Sequence, residues 1–215
     1  MDWNIKKGVY LFLLLVFGLF ANVHAILIDN GNGTITDTDT NLMWLQDLNL
    51  TDTLGYDDSL YGVNTNGALT WQDALDWASD LDFAGYTDWR LPTADATCSG
   101  TETALVYNCN GGELGQLYYD SLGNSAGGLT NPGPFTNFPV NPQFWTSTEF
   151  DATRAFDFHF NDGGQHPWNK AGPLSPTNVI AVREIASVSV PAPAPLLLIA
   201  GGVVGLVLSR RHAKT

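Results

Sequence analysis

An apolar run stands at each end of the 215-residue chain, Val9 to Phe20 and Leu196 to Leu208. Both fall short of the ~20 apolar residues a spanning helix ordinarily needs. What folds must be made from the stretch between them, residues 26–186. At about 160 residues that stretch suits one domain with a real core and leaves little room for a second. The first run follows Lys6 and Lys7 and precedes Ala21-Asn22-Val23-His24-Ala25. A charged start, an apolar middle and a small-x-small end predict a secretion signal over 1–25, handled by the Sec machinery and cut by signal peptidase after Ala25. The alternative, a retained anchor, is opposed by the run's length.

The second run belongs to a tail over 187–215. Prolines at Pro191, Pro193 and Pro195 keep its approach extended. An apolar segment over about 194–208 is marginal as a span. Arg210, Arg211 and Lys214 follow it and stay cytoplasmic by the positive-inside rule. The domain is thus expected outside, held at the inner membrane through this segment before any processing; the alternative is a permanent single-span anchor.

Charge narrows the partners. Between residues 26 and 189 the basic side chains are Arg90, Arg154, Lys170 and Arg183, against every acidic residue of the chain except Asp2. Such a surface repels nucleic acid and anionic lipid, and disfavours sulfated polysaccharide unless a cation bridges. High acidity can mean disorder, but Trp44, Trp71, Trp77, Trp89, Trp145 and Trp168 argue for a packed core. Cys98 and Cys109 form an even pair in an exported chain, so a disulfide is expected, adding about 3 kcal/mol in the loop-entropy account. With no further Cys or His nearby, they do not suggest a metal site.

Ile26 to Ile28, a turn over Asp29 to Gly33, and Thr34 to Asp37 predict a hairpin. Leu42 to Gln46 predicts a further strand, and residues 49–68 an exposed loop. Thr70 caps a helix in which Trp71, Ala74, Leu75, Ala78 and Leu81 recur on one face. A second helix fits Glu113 to Leu122, closed by Gly123, and a loop runs on to Pro142. Phe144 to Glu149 predicts a strand. Beyond it Phe156, Phe158 and Phe160 face one way, and Asp157, His159 and Asn161 the other. Asn178 to Arg183 is the last strand. The order predicts a small α+β domain, one antiparallel sheet with two helices.

Several residues are candidates for binding. Arg90 could clamp a carboxylate or sugar acid, or form an internal ion pair with Asp88 or another acidic neighbour. Asp29, Asp37, Asp39 and Asn41 offer hard oxygens to Ca²⁺, or make Asx-turns in a solvated hairpin. Trp145 on an exposed edge, and Trp168 beside His166 and Lys170, could stack on a sugar ring. A hydrolase using His159 and Asp157 is a third reading, without nucleophile elbow, zinc triad or fixed carboxylate pair to support it; the chain is expected not to be an enzyme.

Four segments together resemble the Lcl C-terminal domain family: Asp37 to Trp44, Gly85-Tyr86-Thr87-Asp88-Trp89-Arg90-Leu91-Pro92-Thr93, Phe144 to Glu149, and Val179 to Arg183. The resemblance implies a C-type-lectin-like fold related to the formylglycine-generating enzymes, and roles in adhesion and surface binding. The tail resembles PEP-CTERM sorting signals, with Val190-Pro191-Ala192-Pro193 where most members carry Val-Pro-Glu-Pro. That resemblance implies cutting near Pro191 to Pro193 by an exosortase-type protease, and a place at the surface or in the extracellular matrix of a Gram-negative bacterium. The function expected is binding of a glycan, exopolysaccharide or matrix component; the alternative is a structural surface module with no small ligand.

Overall fold

A computed structural model describes residues 26–56, 66–101, 104–171 and 177–185. The signal segment with Ala25 and the tail with Pro191, Pro193, Arg210 and Arg211 lie outside the described residues. Among the described residues no helix is long and apolar enough to cross a membrane.

The chain opens with the expected hairpin, β1 (Leu27–Asp29) and β2 (Thr34–Asp37), in the register Leu27 to Asp37. Its turn requires glycine at Gly33, where φ is 83° and a Cβ would lie 2.9 Å from the Phe83 ring. β3 (Leu42–Leu45) is buried along its whole length and pairs with β2 on one side and β7 (Val182–Glu184) on the other. The second sheet is β4 (Gln143–Glu149), β5 (Arg154–His159) and β6 (Gly164–Asn169), also antiparallel.

Two sheets therefore stand where one was expected. The reason lies in the last segment. Asn178 bridges Phe144 in parallel and accepts the Trp145 amide at 3.1 Å, whereas Ala181, three residues on, accepts the Leu45 amide at 3.2 Å. The backbone crosses from one sheet to the other, which is why Val179, Ile180, Ala181 and Val182 are all buried and why regular pairing starts only at Val182.

The region expected as an exposed loop from residue 49 begins instead with a short helix, α1 (Leu50–Thr53), whose Leu50 and Thr51 are buried. Thr51 is fully enclosed and its hydroxyl donates to the Gly67 carbonyl at 2.6 Å, so this turn is tied down by backbone distant in sequence. α2 (Trp71–Asp80) starts at Thr70, whose hydroxyl accepts the Asp73 amide. It lays Trp71, Ala74, Trp77 and Ala78 inward, and the Trp71 indole donates to the Thr146 carbonyl at 2.8 Å. α3 (Glu113–Gly115) widens into a π-helical turn over Gln116–Ser121. There Tyr118 packs edge-to-face on Phe158 and Phe160, at 5.7 and 5.5 Å between centroids.

Candidate functional site

Strand pairing brings the chemistry-bearing residues of the second sheet into one patch. Gln143 stands opposite His159, and Asp157 is flanked by Trp145 on β4 and His166 on β6. Because side chains alternate, Gln143, Trp145, Asp157, His159, His166 and Trp168 share one face. This is the face opposite the phenylalanines, yet Asp157 is fully buried. The cover comes from Leu69 to Trp71, which cross β4: the Trp145 indole donates to the Leu69 carbonyl at 2.9 Å. Trp145 is 0% exposed and cannot offer its ring to a sugar, which corrects its expected role.

His166 and Trp168 do meet, their rings stacked at 5.4 Å and 18°. His166 is buried and Trp168 half-buried, so His166 faces inward. Its Nδ1 lies 2.5 Å from Asp157 Oδ1, and His159 Nε2 lies 3.7 Å from Asp157 Oδ2. Gln143 reaches His159 Nε2 through its amide. Asp157, His159 and His166 each present a ligand atom within 4.8 Å of the others.

The other expected positions lie elsewhere. Arg90 forms a two-pronged pair with Glu113, at 2.8 and 2.7 Å, and its backbone bridges Val182. Glu113 also accepts the Thr93 amide at 2.8 Å, while Thr93 Oγ1 accepts the Glu113 amide in return. Burial pushes the Glu113 carboxyl up, but Arg90 and Thr93 more than offset it and hold it below the usual carboxylate range. The clamp is thus directed inward, pinning the corner at Leu91 and Pro92 to the start of α3. Asp88 pairs with Arg183 at 2.6 Å instead, and Arg183 lies over the Tyr86 ring.

The four residues considered for Ca²⁺ do not converge. Asp29 and Asp37 sit at opposite ends of the β1 and β2 ladder. Asp29 accepts from Gly31 and Gln46; buried Asp37 accepts from Asp39, Thr40 and Ser121. Asn41 takes a φ of 55° at the turn into β3, the left-handed turn geometry that Asn tolerates.

One feature escaped the sequence. A groove of about 460 Å³ is lined by Gly55, Tyr56, Leu69, Asp73, Asp76, Trp77 and Asp80. Tyr56 is 52% exposed and meets the buried Trp77 edge-to-face at 6.4 Å. Asp73, Asp76 and Asp80 lie along one side of α2, and none pairs with a basic side chain among the described residues. The carboxylate spacing was legible, but as a solvated helix face; only the fold brings Tyr56 beside it. All four basic residues of the domain are held in ion pairs: Arg90 with Glu113, Arg154 with Asp151, Lys170 with Glu149 and Arg183 with Asp88.

Cys98 and Cys109 are joined, with their Cα atoms 5.6 Å apart. Gln165 of β6 anchors the bridged loop, donating to the Asp95 and Cys98 carbonyls at 2.7 Å each. The model of the Lcl C-terminal domain family matches residues 33–183, from the turn before β2 into β7. No curated protein matches the chain.

Proposed function

The chain belongs to the Lcl C-terminal domain family, and from that premise we propose that it is a non-enzymatic surface protein which binds a glycan or matrix component. Family membership supports a surface-associated bacterial domain. The finer reading rests on one observation, the groove in which an exposed tyrosine ring stands beside three carboxylates. Such a pairing suits a polyhydroxylated ring: the aromatic covers its apolar face and the carboxylates accept from its hydroxyls. A groove of this size falls in the roughly 300–1,000 Å³ range of small-ligand sites. With every basic residue of the domain already paired, a neutral or amino sugar fits and a sulfated one does not.

Export through the Sec machinery, cleavage after Ala25 and sorting by an exosortase-type protease near Pro191 to Pro193 complete the reading, with passing attachment to the inner membrane of a Gram-negative envelope. The test is a glycan array probed with the full chain, with and without EDTA. Binding to neutral or amino-sugar glycans and not to sulfated ones is expected. Silence under both conditions would leave a structural module without a small ligand.

A further inference from the structure

The triad of Asp157, His159 and His166 plays no part in that groove, and its chemistry is unusual for a structural patch. Asp157 is fully buried, yet its Oδ2 has no hydrogen-bond partner. Leaving a buried carboxylate oxygen unmatched is costly, and sheets ordinarily avoid it. That oxygen is 3.7 Å from His159 Nε2, and His166 Nδ1 lies beside the other oxygen of the same carboxylate. The His159 and His166 rings stand edge-to-face with centroids 5.0 Å apart. Three ligand atoms lie within 4.8 Å of one another, and small side-chain rotations bring them to the roughly 3.5 Å spacing set by an ion whose bonds to nitrogen and oxygen run ~2.0–2.2 Å.

We propose that Asp157, His159 and His166 bind a single divalent transition-metal ion of the zinc class. Two imidazoles and one carboxylate form a borderline donor set, which suits zinc and its neighbours and ill suits Ca²⁺ or Mg²⁺, whose ligands are oxygens. Gln143, already at His159, supplies the fourth position once its amide is turned oxygen inward. The ion satisfies the orphaned Oδ2 and ties β4, β5 and β6 together at mid-sheet. Trp168, stacked on His166, screens one side of the site and holds the ring that ligates.

The experiment uses the full chain without an affinity tag, stripped with EDTA and titrated calorimetrically with Zn²⁺, Ca²⁺ and Mg²⁺. One equivalent of zinc should bind, with a rise in melting temperature, and the other two ions should do neither. His159→Ala, at the less buried corner, should weaken zinc by at least the roughly 100-fold that loss of even a supporting group can bring. Asp157→Asn should do the same. Because Asp157→Asn could compromise folding, Co²⁺ added to His159→Ala, with folding checked by circular dichroism, gives a second readout: the visible absorption of wild type should vanish. Absence of stoichiometric zinc in wild type, or equal affinity in folded His159→Ala, would overturn the proposal.

Discussion

At the scale of single residues, the decisive positions are those whose surroundings came from far away in the chain. Trp145 was legible as a strand aromatic, and the alternation of Phe156 and Phe158 was legible as a core face. That Trp145 and Asp157 are also buried was not, because a strand bearing Asp and His on its second face reads as half-solvated. The cover, Leu69 to Trp71, lies more than seventy residues away from β4. Trp145→Ala should therefore cost about 3–5 kcal/mol, read by chemical denaturation; a loss below about 1 kcal/mol would mean that this face is open. Arg90 teaches a related lesson. Its pairing was legible as a possibility, but Glu113 could not be picked from so many acids by spacing. Glu113→Gln should cost about 1–3 kcal/mol at neutral pH, as loss of a charged hydrogen bond does. The sign with pH follows from a lowered carboxyl: its contribution is complete above the ordinary 4.5 and is lost as pH falls through the lower folded value. The stability difference between wild type and Glu113→Gln should accordingly shrink in acid titration below pH 4.5. A difference constant down to pH 2 would contradict it.

At the scale of elements, capped and periodic segments were readable and short or bridging ones were not. α2 announced itself through Thr70 and its apolar stripe. α1 did not, since four residues are too few for a period and Thr51 is buried by a contact to Gly67. The last strand was expected over Asn178 to Arg183, whereas regular pairing covers Val182–Glu184 and the residues before it serve the other sheet first. The bridged loop over Cys98 to Cys109 is an element of a different kind, held by a covalent link and by Gln165. Replacing both cysteines with serine should lower unfolding free energy by about 3 kcal/mol, measured as a shift of the guanidinium midpoint with unchanged slope. A changed slope would show that the loop constrains the unfolded chain beyond its own closure.

At the scale of the whole molecule, the acidic charge is a surface property on which the proposed ligand preference rests. The four basic side chains are neutralised internally, so the domain presents carboxylates outward, and the groove beside Tyr56 is rimmed by them. The family was written in the motifs; the groove was not, because Tyr56 and α2 meet only in three dimensions. On the proposed function, ligand enters beside Tyr56 rather than at the half-buried Trp168. Calorimetric titration of the strongest array ligand against wild type, Tyr56→Ala and Trp168→Ala tests it most directly. Tyr56→Ala should weaken binding about tenfold, the ~1.4 kcal/mol scale of an aromatic contact, with Trp168→Ala unchanged. Loss in Trp168→Ala with full affinity retained in Tyr56→Ala would contradict the account.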